Sequence, residues 1–511
     1  MQSLKELSIY TKKVITARDT YALSATAEAI GLSRTMLAEN AGAKIAAELL
    51  RNHKNQRILV VSGSGHKGAI GMSVARHLFE YVNHISVALL YKPEELKKEA
   101  SKLNYNILSK FAEIAIIGDS EELKPLLKEA DVVVDAIVGV GLRGRLDKRI
   151  ASIINMINKS GKYIASIDIP SGVDPDTGMP NVASIRADML YTLYKEKPFS
   201  VTRAYAQNVS VVDLGVPYGI ELITGPGDVM LATEPRLLSA NKYTNGSVLV
   251  VGGSPDYKGA PVLAAHGALN ALSALYSGAG YATVAMPSSV VGRVSIPPNL
   301  IVRSFGGDTL SKTSIPKLEE IRHDVAILGP GLSTDKESMD SIVALVKSET
   351  SKGKFVILDA TAIKAVASSK GVLGKKTIIT PHDGEFGYLI GTSLKAATLE
   401  KRINLAVEFA KSYNCVVVLK GHETVITDGN LLKINVADTP VLATMGTGDV
   451  LAGIIASYLS LHMQPFESAV AGVYVHSKIG DAAFREMGLH ITASDIISRI
   501  PEVLKQFDTI R

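Results

Sequence analysis

At 511 residues the chain is longer than one hydrophobic core usually serves, which predicts two domains of roughly 200–300 residues each. Its 46% hydrophobic and 21% charged residues exclude a disordered or fibrous sequence. A net charge of +5, carried by scattered lysines, forms no basic block of the kind that makes nucleic acid the default partner. The single cysteine, Cys415, rules out an internal disulfide and a cysteine-rich metal site, and it sits in the apolar run CVVVL, where a buried strand is predicted. The opening MQSLKELSIYTKK lacks the apolar stretch of a signal peptide, and no segment reaches the roughly 20 apolar residues of a membrane span. The expectation is a cytoplasmic protein with no membrane partner.

In chain order, a leading helix over about residues 33–50 places Leu37, Ala41, Ile45 and Leu49 on one stripe. From Arg57, short β-branched runs alternate with helical patterns. They are RILVVSG followed by a helix from about Gly71, SVALLY, IAIIGD, EELKPLLKEA, VVVDAIVG and YIASIDIP. That alternation predicts a parallel sheet covered by helices on both faces. Over about residues 217–242 the periodicity breaks up among PYG, GPGD and TEPR, which sets the predicted boundary between domains 1–220 and 221–511. A second α/β series then runs through SVLVVGGS, a helix over about 260–277, VAILGPG, FVILDA, TIITPH and VVVLKGHETVIT.

Ligands of doubly wound sheets bind beyond the carboxyl ends of the strands. In the second series those ends carry Gly252-Gly253-Ser254, Gly329-Pro330-Gly331, Thr380-Pro381-His382, Lys420-Gly421-His422-Glu423-Thr424 and Ala443-Thr444-Met445-Gly446-Thr447-Gly448-Asp449. The glycines at 446 and 448 open the apolar helix VLAGIIASYL, so backbone N–H groups and the helix dipole can meet an anion there, with a carboxylate alongside. Read alone, Asp449 serves equally as a capping residue. Likewise His382 fits a structural turn, Gly329-Pro330-Gly331 an ordinary turn, and Lys420 a solvated surface position.

Taken together and in order over about residues 241–511, these strings resemble the NAD(P)H-hydrate dehydratase family of the ribokinase-like superfamily. The resemblance implies a ribokinase-like three-layer sandwich in which ADP, or ATP, phosphorylates the 6-hydroxyl of (6S)-NAD(P)H hydrate. Phosphate is then eliminated to leave NAD(P)H, AMP and phosphate. Asp449 would be the base at that hydroxyl. Gly446 and Gly448 would form the anion hole, Lys420, Gly421, His422, Glu423 and Thr424 would hold the adenine nucleotide, and Ala260, Gly331 and His382 would contact the hydrate. Magnesium is implied by phosphoryl transfer. The chain departs from the family's Asp-Ala-Asp string at Asp359-Ala360-Thr361 and from its His-Lys-Gly run at Asn241-Lys242-Tyr243.

In the first series the turn Gly63-Ser64-Gly65-His66-Lys67-Gly68-Ala69-Ile70-Gly71 opens a helix, but no acidic residue closes the next strand as a dinucleotide fingerprint requires. With Glu39-Asn40-Ala41-Gly42, with the run Asp135 to Gly144 and with Ser166-Ile167-Asp168-Ile169-Pro170-Ser171-Gly172, this turn resembles the NAD(P)H-hydrate epimerase family over about residues 15–218, a Rossmann-like three-layer sandwich. The resemblance implies that Asp168 is the acid/base at C6 and that Asp135 and Ser171 ligate potassium. It also implies that Gly139, Val140, Gly141, Leu142, Arg143, Gly144 and Arg145 bind the substrate's phosphates, the two arginines supplying charge. The family's Asn-Asn-Gly-Gly-Asp-Gly loop is rewritten here as His66-Lys67-Gly68-Ala69-Ile70-Gly71. Lys67 falls on the potassium-ligating asparagine, and an ammonium has three donors and no lone pair to offer. It is therefore expected to sit where potassium would, between Asp135 and Ser171. A strand-end turn aspartate ahead of a proline is the plainer reading of Asp168.

The expected whole is a cofactor-repair lyase and isomerase acting on a small molecule as a homo-oligomer. The rival is a small-molecule kinase on the same C-terminal fold, with the N-terminal half a non-catalytic binding or scaffolding module.

Overall fold

The computed structural model describes residues 6–508 except 83, 143, 202, 234–245 and 276–279, so Arg143 and the Asn241-Lys242-Tyr243 run lie outside the described residues. The chain divides into two compact units, Lys12–Ile220 and Glu221–Arg511, the latter joined by Met1–Thr11. Among the described residues no helix is long and apolar enough to cross a membrane.

The first unit is built on strands β1 (Arg57–Ser62), β2 (His84–Leu89), β3 (Ile114–Ile116), β4 (Val132–Ala136), β5 (Tyr163–Ile167), β6 (Ala187–Leu193) and β7 (Ala206–Val212). All pair in parallel, in the order β3-β2-β1-β4-β5-β6-β7. Successive side chains of β1 enter opposite cores. Ile58 and Val60 pack with Leu37, Ala41, Ile45 and Leu49 of the helix Arg34–His53, while Leu59 and Val61 pack with Ile150, Ile153 and Ile157 of the helix Lys148–Lys159. This two-sided burial makes the strands nearly continuous apolar runs.

The helix after β1 begins at His66, five residues before the expected start near Gly71. Glycine does not stop it, because Gly68 and Gly71 serve close approach. A Cβ at Gly68 would lie 1.9 Å from the Gly63 carbonyl oxygen, and one at Gly71 would lie 2.3 Å from the Ala136 Cβ. The early start places His66 and Lys67 in the first helical turn.

The second unit holds β8 (Ser247–Val251), β9 (Tyr281–Met286), β10 (Ile301–Ser304), β11 (Val325–Leu328), β12 (Phe355–Leu358), β13 (Thr377–Ile379), β14 (Val416–Leu419), β15 (Glu423–Thr427) and β16 (Leu432–Val436). Their order is β10-β9-β8-β11-β12-β13-β14-β15-β16, parallel as far as β14 and antiparallel at β15 and β16. Here too β8 alternates, Leu249 and Val251 entering one core and Val248 and Val250 the other. The sequence runs did not include β6, β7, β9, β10 and β16. Edge strands β7 and β10 expose much of their length and so carry little apolar signal.

Candidate active sites

In the first unit the chain leaves β1 toward β2 on one side of the sheet, while β4 leads to β5 on the other, so the β1/β4 junction is a topological switch point. A cavity of ≈ 650 Å³ opens there, lined by His66, Lys67, Ile70, Gly139, Val140, Gly141, Leu142, Arg145 and Asp168. These sequence-predicted residues thus share one site. Gly68 and Ala69 are buried in the helix behind it, and Gly144 turns the loop at φ +68°.

Asp135 and Ser171 lie fully buried beneath this cavity, and the Lys67 ammonium lies between them. Lys67 Nζ donates to Asp135 Oδ2 at 2.7 Å, to the Ile169 carbonyl at 2.7 Å and to Ser171 Oγ at 2.9 Å, with Ser166 Oγ and the Val138 carbonyl each at 3.4 Å. Burial pulls the lysine below its usual range against the opposing pull of Asp135. Burial alone would raise the Asp135 carboxyl, but the Lys67 charge and hydrogen bonds from Ser166 and Ser171 hold it below the usual carboxylate range.

Asp168 stands at the end of β5 with φ +60°, a left-handed conformation that aspartate tolerates better than most residues. Its Oδ1 accepts from the Leu193 N–H at 3.1 Å and pairs with Lys197 Nζ at 2.7 Å. Lys197 is 0% exposed and also donates to the Leu193 and Lys195 carbonyls at 2.6 and 3.2 Å. Sequence reasoning missed Lys197, whose only signal was its position in the turn just beyond β6. It also missed the basic rim of Arg18, Lys97 and Lys98, which lines the cavity from the helix Ala17–Ala29 and the turn after β2. Burial, then Arg34 and Lys98, bring the His66 imidazole down to about 4, so the ring is neutral near pH 7.

In the second unit the equivalent switch lies between β8 and β11. Gly446, at φ +88°, is the N-cap of the helix Thr447–Ser460, and a Cβ there would meet the Leu263 Cδ1 at 2.6 Å. Asp449 is the acidic residue in the first turn of that helix, where its charge faces the helix dipole. Burial, then the neighbouring Asp359 carboxylate, push the Asp449 carboxyl well above its usual range, with Glu385 adding to the rise and Lys420 opposing it.

Lys420 extends from the end of β14 into this carboxylate group, 3.1 Å from Asp359 Oδ1, which also accepts from Thr380 Oγ1 at 2.8 Å. Burial would lower its ammonium, but Asp359, Glu385 and Asp449 raise it above the ordinary lysine value. A side chain at Gly448 would come within 3.3 Å of Lys420 Nζ, so the glycine lets the helix start approach the ammonium. Lys420 is therefore not a solvated surface lysine. After it Gly421 and His422 complete the β14–β15 turn and Glu423 and Thr424 begin β15, the Gly421 N–H donating to Thr424 Oγ1 at 3.3 Å and His422 being exposed. Asp359 appeared in the sequence only as part of a departing string, yet it is the counter-ion of Lys420.

His382 caps the helix Asp383–Ile390, its Nδ1 accepting from the Gly384 and Glu385 N–H groups at 3.0 and 3.3 Å, and its side chain is 61% exposed. The turn reading therefore accounts for one ring nitrogen. Gly331, at φ +67°, abuts Ala260: a Cβ on the glycine would stand 3.4 Å from that of the alanine and 2.4 Å from the Tyr257 carbonyl oxygen.

Two family models match the chain. The one described as NAD(P)H-hydrate dehydratase covers residues 248–502, and the one described as YjeF-related protein N-terminus covers residues 34–199. The bifunctional NAD(P)H-hydrate repair enzyme Nnr of Pyrobaculum aerophilum is 34% identical over 97% of this chain and 99% of its own length. That of Archaeoglobus fulgidus is 36% identical over 96% and 98%. Among solved structures, the ADP/ATP-dependent NAD(P)H-hydrate dehydratase from Bacillus subtilis co-crystallised with ATP/Mg2+ is 27% identical. The match covers 55% of this chain and 96% of that one, with a TM-score of 0.45. On the near full-length identity to these relatives, the chain belongs to the bifunctional NAD(P)H-hydrate repair enzyme family.

Proposed function

We propose that the second unit dehydrates (6S)-NAD(P)H hydrate at the expense of ADP or ATP and that the first unit interconverts the R and S hydrates. The observation that carries the dehydratase reading is Asp449, held above the ordinary carboxylate range in the first turn of a glycine-opened helix beside the Lys420–Asp359 pair. A carboxylate of raised proton affinity is a stronger base toward a hydroxyl. First-turn amides, which lack intrahelical partners, suit a transferring phosphoryl group.

Asp449 takes the proton of the 6-hydroxyl as its oxygen attacks the terminal phosphorus of ADP, and AMP leaves. The C6–O bond then breaks, the oxygen departs with phosphate, and loss of the neighbouring C5 proton restores the ring double bond. Lys420 stabilises the charge that develops, and Gly421–Thr424 hold the nucleotide. Among the described residues no group of three or more His, Cys, Asp or Glu is arranged to hold a metal. Magnesium would accompany the nucleotide phosphates and offset their charge.

In the first unit, Asp168 moves the proton at C6, and the rim of Arg18, Lys97, Lys98 and Arg145 receives the pyrophosphate. The test is incubation of separated S and R hydrates with ADP or ATP, following reduced-nicotinamide absorbance and phosphate. The wild type should convert S hydrate directly and R hydrate through S, and Asp449→Asn should lose the absorbance gain. A stable phosphorylated hydrate in place of NAD(P)H would favour a small-molecule kinase.

A further inference from the structure

Family resemblance implies potassium in the first unit, yet this chain's residues do not fit it. The five oxygens facing one another beneath the cavity come from Asp135, Val138, Ser166, Ile169 and Ser171, and Lys67 Nζ lies within 3.4 Å of all of them. The hydroxyl protons there are already committed: Ser166 Oγ donates to Asp135 Oδ2 at 2.7 Å and Ser171 Oγ to Asp135 Oδ1 at 2.5 Å. What remains is a set of acceptors, which calls for a cation or a multiple donor at its centre. The one formal negative charge, on Asp135, is matched by the lysine. A further cation would have to enter uncompensated beside a buried ammonium, at a large desolvation cost.

We propose that the Lys67 ammonium is a tethered substitute for a monovalent cation, which joins the ends of β1, β4 and β5 and frees the first unit's site from any need for potassium. The inference rests on the epimerase reading only for what the site does, not for how it is held together. Lys67 starts in the helix after β1, while its partners lie at the ends of β4 and β5 and in the turns that follow them, so the cage fixes the loop after β4 relative to Asp168. Tethering removes the entropy of capturing a free ion and makes occupancy independent of its concentration.

The experiment compares full-length wild type, Lys67→Asn and Lys67→Met in potassium chloride and in tetramethylammonium chloride of equal concentration, reading thermal melting and hydrate epimerisation. Wild type should melt and epimerise alike in both salts. Lys67→Asn, which offers an oxygen where the ammonium was, should melt lower in tetramethylammonium. Potassium at about ten times its dissociation constant should raise that melting temperature by roughly 3–6 °C. Lys67→Met, whose apolar chain fills the cage, should not respond. Wild-type melting that rises specifically with potassium would overturn the proposal, as would a folded Lys67→Asn indifferent to it. Should Lys67→Asn fold in neither salt, calorimetric titration of wild type with potassium decides, binding heat overturning the tethered cation and its absence supporting it. Absence of epimerisation in every salt, with the expected melting pattern, would overturn the epimerase reading and leave the tethered cation standing.

Discussion

The two units place their candidate carboxylates at the same kind of location, the carboxyl ends of parallel strands at a switch point, but they balance charge in opposite ways. In the first unit each aspartate has its own buried ammonium, Asp135 with Lys67 and Asp168 with Lys197. In the second, Asp359, Glu385 and Asp449 share the single Lys420. One-to-one pairing fixes a geometry before any ligand arrives. A surplus of carboxylate instead leaves one group ready to take up a proton, which is what a base for a hydroxyl requires.

The strongest way to break this contrast is Asp449→Asn, which should lower dehydration by about 10²–10⁴-fold, the usual range for a positioned base, while hydrate epimerisation stays at the wild-type rate. Loss of both activities would show that the residue supports the whole chain's fold and not one reaction. Next, Lys197→Met should destabilise the first unit by about 3–5 kcal/mol, because it leaves the Asp168 carboxylate buried without its partner. Thermal melting checks this, and the double substitution Lys197→Met, Asp168→Asn should recover part of the loss. If the single variant melts like wild type, the pairing in the first unit is not structural.

A subtler test concerns pH. Because a base works ionised and Asp449 is shifted upward, kcat/KM for dehydration should fall as pH drops through a value above the ordinary carboxylate range. Asp359→Asn removes a neighbouring negative charge, so the acid limb should move to lower pH whatever happens to the maximal rate. An unmoved limb would remove Asp359 as a cause of the shift. The smallest effect is expected at Ala360, held at φ +48° and ψ −118° beside Asp359. Glycine adopts that conformation without strain, so Ala360→Gly should stabilise the second unit by about 1 kcal/mol, read as a modest rise in melting temperature.

Much of this was legible in the sequence because strand ends concentrate glycine and polar residues where the chain must turn and face a ligand. The runs RILVVSG, VVVDAIVG and VAILGPG identify both their strands and their loops, and the substitution of Lys67 pointed to the Asp135 and Ser171 partners it has. The early start of the helix at His66 was hidden because glycine reads as a breaker, whereas Gly68 and Gly71 exist for packing. Lys197, Lys97 and Arg18 were hidden for a different reason. Arg18 and Lys97 line the first cavity, and Lys197 pairs with Asp168 behind it, from segments outside its motifs that only the fold brings together. The Lys420–Asp359 pair was hidden likewise, because its partners stand 61 residues apart and meet only at the sheet end.

Cys415, buried just ahead of β14, has a thiol that burial pushes up to about 12. At neutral pH the reactive thiolate is therefore far scarcer there than on an ordinary exposed cysteine. To alkylating dyes the native protein is therefore nearly silent. A cysteine introduced at exposed Arg145 would be labelled against almost no background. The loop that carries it could then be followed by fluorescence while the wild-type thiol is left in place.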